Sequence, residues 1–429
     1  MMIPKSSPYH AAVTAMVLIG VLTASAADWP QWRGPNRDGV WNETGIREAF
    51  PADGLPISWR IPVGRGWSSP VIADGRVYIT DVEIVGNSAK ERVLSFNGRS
   101  GNRVWAHSYP VAYPDWAFGP DGGGPRATPI LHNGRLFTLG ATGELLCLNA
   151  ATGDVVWARS LMKDFGNEAF SGITSSPLIE GDLLILQIFA KPGAAVVALD
   201  KGSGREVWRA LDDSFTYSSP IVFTAGGQRQ LIAWTQAGVT SLDPRTGKTW
   251  WRELFHTPGD MAVSTPVFHD HRLLVAGVMF QLGSGEPLAK VSWPESKSPS
   301  KRVLSNTSTA LFRDEYVYSA KITGELVCIE ASTGNEVWKT NTVTAAGNGS
   351  SIHITPNGGA VLLFTDEGNL ILAKLTPQGY TEVSRASLLK PTSPFGQKKC
   401  AWTPPAFANR CFYVRSDAEL ICVSLAATR

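Results

Sequence analysis

Short runs of apolar residues, each closed by a turn signal, recur along the chain from about residue 57 to its end. One copy reads ATPILHNGRLFTLGATGELLCLNAATGDVVWARS and covers residues 127–160. It contains a short strand, an Asn-Gly turn, a second strand, a third strand, a Gly turn and a last strand that carries Trp. The pattern predicts four short strands in each copy.

Eight copies of this unit begin with a pair of small residues, mostly Ser or Thr, and six of these pairs are followed directly by Pro. The starts are Ser68–Pro70, Ala127–Pro129, Ser175–Pro177, Ser218–Pro220, Ser264–Pro266, Ser308–Ala310, Ser350–Ile352 and Thr403–Pro405. A repeat of about 50 residues with four strands is typical of propeller blades. The sequence therefore predicts an all-β fold, an eight-bladed β-propeller of four-stranded blades.

A Gly-x-x-x-Trp ending closes most copies. The Gly suits a turn with positive φ, and the Trp offers a large apolar area for packing one blade on the next. In the fifth copy Trp293 stands eight residues after Gly285, which predicts an irregular blade. The predicted structural set is Trp59, Trp105, Trp157, Trp208, Trp251 and Trp338.

The eighth copy ends at Leu425 without a fourth strand. Near the other end of the repeat region, Ile57-Ser58-Trp59-Arg60 resembles Glu206-Val207-Trp208-Arg209. An N-terminal strand that completes the last blade would close the ring and leave no open sheet edge. The predicted organisation is a strap at residues 28–54 and one closed propeller at 55–429.

Residues 1–27 have a basic start, an apolar run from Ala11 to Leu22 and a small-residue end, which is typical of a secretory signal peptide. We expect an exported protein, periplasmic or extracellular, with no transmembrane segment after the signal peptide. Of five cysteines, three fall at the same place in three copies and are expected to be buried and unpaired: Cys147, Cys328 and Cys422. Whether Cys400 and Cys411 pair is left open.

The charge balance of the chain argues against one class of partner. Lys and Arg number 39 and Asp and Glu number 37, a net charge of +2. A nucleic-acid binder needs a strong basic face, so nucleic acid is not an expected partner.

The residues that directly precede the eight starts occupy one equivalent position, which we call the slot. We expect them to form a ring around the mouth of the central channel, where the long blade-to-blade loops arrive. Function concentrates on such loops. Aromatic rings and an Arg at this mouth suit a protein partner or a small-molecule ligand, although they could also only plug the channel. The candidates in the slot are Trp67, Arg126, Tyr217 and Trp402, and those in the loops above it are Arg65, Trp116 and Asp121.

The Thr-Gly-x-x-x-Trp endings at residues 150–157 and 331–338 resemble the pyrroloquinoline-quinone (PQQ) type of propeller repeat, which is also WD40-like in its blades. The stretches DWPQWRGPNRDG (28–39) and GPRATP (124–129) look like motifs of exported planctomycete propellers. This resemblance implies two kinds of relative. One is the quinoprotein alcohol dehydrogenases, and the other is the envelope-assembly propeller BamB, which has no cofactor.

The chain departs from the dehydrogenase pattern. No two of its cysteines are adjacent, and no spacing marks Asp115, Asp121, Glu168 or Asp260 as a base with calcium ligands. We therefore expect a non-catalytic binding or envelope-assembly scaffold with no catalytic residues, no metal and no cofactor. The alternatives are a PQQ-dependent oxidoreductase of alcohols or sugars that uses calcium, and a carbohydrate- or peptide-binding module.

Overall fold

The repeated pattern folds into short antiparallel strands. A computed structural model of the chain describes residues 1, 28–115, 122–166, 172–255, 262–298, 303, 308–347 and 349–427. The described residues form eight four-stranded sheets, which are the blades of a β-propeller, and one separate two-stranded hairpin. The predicted signal peptide lies almost wholly outside the described residues.

Strand β1 precedes blade 1 and belongs to the last blade. The strands of β1 and of blades 1 to 4 are β1 (Ile57–Pro62); β2 (Val71–Ala73), β3 (Arg76–Val85), β4 (Ser88–Asn97) and β5 (Arg103–Val111); β6 (Ile130–His132), β7 (Arg135–Leu139), β8 (Glu144–Asn149) and β9 (Val155–Ser160); β10 (Leu178–Glu180), β11 (Leu183–Ala190), β12 (Ala194–Asp200) and β13 (Glu206–Ala210); β14 (Ile221–Ala225), β15 (Gln228–Thr235), β16 (Gly238–Leu242) and β17 (Thr249–Leu254). A short helix, α1 (Leu161–Phe165), follows blade 2.

The remaining blades continue the order, with a hairpin between blades 7 and 8. Their strands are β18 (Val267–His269), β19 (Arg272–Val275), β20 (Val278–Leu282) and β21 (Ala289–Trp293); β22 (Leu311–Arg313), β23 (Tyr316–Ala320), β24 (Leu326–Glu330) and β25 (Glu336–Thr340); β26 (Ile352–Asn357), β27 (Ala360–Thr365), β28 (Asn369–Thr376) and β29 (Gly379–Ser387); the hairpin β30 (Ser393–Phe395) and β31 (Lys398–Cys400); β32 (Ala406–Ala408), β33 (Cys411–Arg415) and β34 (Glu419–Ser424).

The ring closes through the N-terminal strand, as the sequence predicts. The eighth sheet has the order β1-β34-β33-β32, and β1 pairs antiparallel with β34. Trp59 lies opposite Cys422 in this register. Because the two ends of the chain share one sheet, neither leaves an unpaired edge at the closure.

The recurrent Trp docks six of the eight blades on the next one. The indole N–H donates to a backbone carbonyl of the following blade at 2.8–3.1 Å in these pairs: Trp59 to Gly98, Trp105 to Ala150, Trp157 to Lys201, Trp208 to Pro244, Trp293 to Ala331 and Trp338 to Thr376. The ring also covers the turn glycine of the next blade, and a Cβ on Gly204 would lie 2.9 Å from the ring of Trp157.

Two tryptophans differ from the sequence expectation. Trp293 docks on blade 6 in the regular way, because β21 brings it to the outer position despite the longer turn before it. Trp251 packs on Phe280 of blade 5, but its N–H donates to Gln230 within its own blade at 2.7 Å. The fifth blade is therefore regular at its docking contact. The exceptions are the fourth blade and the seventh, whose outer strand β29 has no Trp.

The paired Ser and Thr residues form a hydrogen-bonded belt around the channel. In several neighbouring pairs of blades, the backbone N–H of the second residue donates to the hydroxyl of the equivalent residue one blade on. The bonds are Ser69 to Thr128, Thr128 to Ser176, Ser176 to Ser219 and Thr265 to Thr309, at 2.9–3.1 Å. A small hydroxyl side chain thus serves as an acceptor at this place in four of the eight blades.

Residues 29–41 of the strap fill the channel, and we refer to them as the plug. The plug exchanges two backbone hydrogen bonds between Trp29 and Ile72 of blade 1. Arg37 reaches the carbonyls of Ser176, Pro177 and Pro220 in blades 3 and 4. The chain leaves the channel where Glu43 accepts the N–H of Arg410, in a turn between first and second strands. The plug therefore closes the channel from the short-turn face, and the long-loop face keeps the mouth.

All five cysteines lie in the described part of the chain, and none forms a disulfide. Cys147, Cys328 and Cys422 are buried, as expected for apolar repeat positions. Cys400 is also buried, whereas Cys411 is half-buried on β33, so the structure has these two thiols free.

The part of the chain that the structure describes has no helix with the length and apolar character needed to cross a membrane.

Candidate ligand site at the channel mouth

An arginine stacked on a tryptophan forms the centre of the mouth. The Arg126 guanidinium carbon lies 4.3 Å from the centroid of the Trp67 ring, a cation–π contact. The two residues precede the starts of blades 2 and 1, so their equal repeat position brings them side by side.

Within the described part of the chain, the Arg126 guanidinium has no anionic partner. Among the described residues, it makes neither a hydrogen bond nor an ion pair, although its side chain is only partly exposed. Burial lowers its pKa, and the nearby hydroxyls of Tyr217 and Tyr113 and the Asp417 carboxylate oppose that shift. A cation whose donors are unused suits a carboxylate or another oxyanion.

Close backbone contacts fix the positions of Arg126 and Trp67. The Trp67 N–H donates to the Pro125 carbonyl at 3.0 Å. Gly124 has a φ of +101°, and a Cβ there would lie 2.8 Å from the Arg65 carbonyl oxygen. Only glycine suits both conditions, so Gly124 lets the loop before blade 2 lie directly on the loop before blade 1.

A buried carboxylate anchors the loop before blade 2. Glu91 is 1% exposed and accepts hydrogen bonds from the hydroxyls of Tyr109 and Tyr113, at 2.6 and 2.5 Å, and from the Ala141 N–H. Burial raises its pKa, and these three donors oppose the rise. The Tyr113 hydroxyl in turn accepts the Gly124 N–H at 3.2 Å. Glu91 therefore holds the loop that presents Arg126.

The hairpin β30–β31 stands beside the mouth. The Trp67 indole N–H donates to the Ser393 hydroxyl at 3.1 Å, and Ser393 donates to Asp417. The ring of Phe395 meets that of Trp402 edge-on, with centroids 5.3 Å apart. The hairpin thus separates Trp402 from Trp67 and supports both rings.

The other predicted site residues take different positions. Tyr217 packs edge-on against Phe215 and faces Arg126 closely enough to affect its pKa. Arg65 lies at a cleft between blades 8 and 1, where its backbone bridges to Val82. Trp116 and Asp121 lie outside the described residues.

Several residues that shape the mouth carry no signal in the repeat alignment. The repeat alignment does not single out Glu91 or Asp417, because it shows no recurrent acidic residue at their positions. Ser393 and Phe395 lie in an insertion between blades 7 and 8. Glu91 stands between Lys90 and Arg92 on β4, so the local sequence does not mark it as a buried carboxylate.

Eight four-stranded blades, docking tryptophans and a Ser/Thr belt define a propeller of the PQQ type. A sequence model of the family described as outer membrane protein assembly factor BamB matches residues 89–279 and 277–377, which together are more than half of the chain. The chain belongs to this family.

Individual relatives are distant. The outer membrane protein assembly factor BamB of Burkholderia pseudomallei (strain K96243) is 23% identical over 228 residues, which cover 51% of this chain and 56% of that protein. That of Francisella salina is 24% identical over 156 residues, covering 35% of this chain and 27% of that protein. The matched region thus spans less than two thirds of either curated relative.

Solved structures of other proteins share the fold of this chain. BamB from Moraxella catarrhalis superposes with a TM-score of 0.56 at 17% identity, covering 86% of this chain and 99% of that one. Quinohemoprotein alcohol dehydrogenase from Comamonas testosteroni superposes with a TM-score of 0.66 at 16% identity, covering 94% of this chain and 81% of that one. At such identities the likeness is one of fold alone.

Proposed function

We propose that this chain is an exported, non-catalytic scaffold that binds a partner protein at the channel mouth. In this proposal, an acidic side chain or terminal carboxylate of the partner binds Arg126 beside Trp67. The observation that carries it is the Arg126 guanidinium, stacked on an indole and without an anionic partner in the described part of the chain. The plug supports the choice of face, because it fills the channel from the other side.

The family supports a protein partner. The relatives are named outer membrane protein assembly factors, and the proposed role here is likewise to hold another envelope protein. A protein segment with one acidic anchor and an apolar neighbour would use both the charge of Arg126 and the aromatic surroundings.

Two observations support a mouth that works without PQQ and calcium. The Trp67 face, on which a planar quinone would stack, is covered by Arg126 at 4.3 Å. The described residues also contain no group of three His, Cys, Asp or Glu side chains that could hold a metal ion. We therefore derive no redox step at this site.

The test uses fluorescent peptides and the mature protein. One peptide carries Asp and Glu among aromatic residues, and its matched partner carries Asn and Gln at the same positions. We expect binding of the acidic peptide only, and about 10-fold or greater weakening by Arg126→Gln, since a charge-assisted hydrogen bond contributes about 1.5–3 kcal/mol. The control is Arg99→Gln, which removes an exposed positive charge in a turn on the opposite face.

Three results would contradict the proposal: equal binding of both peptides, equal weakening by Arg99→Gln, and an Arg126→Gln variant that melts lower but binds as before. The last would mean that Arg126 only packs the mouth. A PQQ-loaded spectrum with dye reduction would instead support the dehydrogenase alternative.

A further inference from the structure

A small, partly open space lies inside the channel, below the mouth and beside the plug. Its volume is about 40 Å³, and its walls include the rings of Trp29 and Trp32. Its polar walls come from the plug and from three blades: Arg33, Ser69, Thr309, His353 and Thr355. We refer to it as the plug cavity.

Arg33 lines the plug cavity, and Arg37 lies in a neighbouring part of the channel that Arg33 also borders. Arg33 donates from Nε to the Arg37 carbonyl at 3.3 Å and from Nη2 to the Asp38 carbonyl at 2.6 Å. Arg37 donates only to the Gln31 amide oxygen and to backbone carbonyls. Over the described ranges neither arginine forms an ion pair, and every acceptor they have is neutral.

Burial without an ion pair disfavours the charged form of both arginine side chains. Burial lowers the pKa of Arg33 to about 10, and the Asp38 carboxylate opposes the shift. Burial lowers the pKa of Arg37 to about 9, and the charge of Arg33 adds to this. Burial also lowers the pKa of His353 to about 4, so this ring is neutral at pH 7. Buried charges are normally paired, so a bound anion would relieve the repulsion.

A second observation points into the same space. Ser69 is 2% exposed, and its Oγ has no hydrogen-bond partner within the described chain. In the belt, the corresponding hydroxyl of blade 2 accepts an N–H from the preceding blade. The residue that precedes Ser69 in the ring is Pro404, which has no N–H. The Ser69 hydroxyl therefore takes no part in the belt, in a residue that lines the plug cavity.

We propose that the plug cavity binds one small monovalent anion of halide size, with the Arg33 guanidinium and the Ser69 hydroxyl as donors. A space of about 40 Å³ admits a water-sized or halide-sized group, since a single water needs about 10–15 Å³ by this measure. The anion neutralises the Arg33 guanidinium and so fixes the plug in the channel. This site is separate from the mouth and does not depend on the proposed function.

The experiment measures thermal unfolding of the mature protein at constant ionic strength, with sodium gluconate exchanged stepwise for sodium chloride or bromide. We expect the melting temperature to rise and saturate with the halides, because a ligand that binds only the folded state stabilises it. Ser69→Val fills the space and removes the donor, so the rise should fall to less than half. The control is Thr240→Val, which removes a buried hydroxyl that also lacks a partner in the described structure but lies in blade 4. The Thr240→Val variant should keep the full rise of the melting temperature with the halides.

A bromide-soaked crystal gives an independent readout, which also serves if Ser69→Val fails to fold. The proposal requires an anomalous peak within hydrogen-bonding distance of Arg33 and Ser69. Equal melting temperatures in gluconate and halide, or ordered water in the plug cavity with bromide only at the surface, would overturn it. Loss of acidic-peptide binding by Arg126→Gln is measured separately, so the two proposals can fail independently.

Discussion

At the residue scale, a buried threonine hydroxyl stabilises the fold in one place and not in another. Thr128 is 1% exposed, and its hydroxyl accepts the Ser69 N–H in the belt. Thr240 is fully buried on β16, yet within the described structure its hydroxyl has no partner. Because an unsatisfied buried donor or acceptor is costly, the first hydroxyl stabilises the fold and the second one does not.

Thr→Val substitutions separate these two cases with little change of shape. Thr128→Val leaves the Ser69 N–H without its acceptor and should lower the free energy of unfolding by about 1–3 kcal/mol. Thr240→Val should be neutral or slightly stabilising. Urea unfolding of both variants measures the difference, and equal midpoints would show that the belt bonds contribute nothing.

At the element scale, closure of the ring depends on one strand. β1 pairs with β34 along its length, and its Trp59 is 8% exposed and docks on blade 1 through Gly98 and Gly101. The strand therefore makes two contacts at once, an edge pairing within blade 8 and a docking contact with blade 1.

Trp59→Ala should lower the free energy of unfolding by about 3–5 kcal/mol, because it leaves a large cavity at the closure. Trp250→Ala is the control. That ring is half-buried on β17, and its N–H donates at 3.3 Å to Arg229 in the same blade, so its loss should cost clearly less. Comparable losses in the two variants, measured by chemical denaturation, would remove any special role of the closing strand.

At the scale of the whole molecule, the plug joins blades that are far apart in the ring. It bonds to blade 1 through Trp29, to blades 3 and 4 through Arg37, and to blade 5 through the bond from Trp32 to Thr265. Trp41 is 1% exposed and packs on Phe407 of blade 8, with ring centroids 5.1 Å apart. A segment with contacts around the ring couples the blades into one cooperative unit.

Trp41→Ala should therefore loosen the plug and lower the midpoint of a single unfolding transition, by about 3–5 kcal/mol in free energy. Limited proteolysis gives a second readout, since residues 28–54 should become cleavable in the variant before the blades do. A variant whose plug resists protease as the natural chain does, at an unchanged midpoint, would show that the plug is not held by this residue.

The sequence by itself determined the architecture. Repeats of four apolar runs with recurrent Gly-x-x-x-Trp endings specify local strands and turns, and eight such units with a missing last strand specify a ring closed by residues near the N-terminus. These features are local or periodic, so they can be read without coordinates. The same periodicity put Trp67 and Arg126 in one slot, which is why their contact follows from alignment.

The tertiary structure decided what fills and surrounds the channel. Residues 29–41 carry no repeat, so nothing in the sequence places Arg33 and Arg37 between blades that are up to about 180 positions away. Glu91 and Ser393 act at the mouth through contacts between different blades, and Trp293 reaches its docking position only through the actual length of a turn. Such contacts depend on distances across the ring, and a one-dimensional pattern contains no information about these distances.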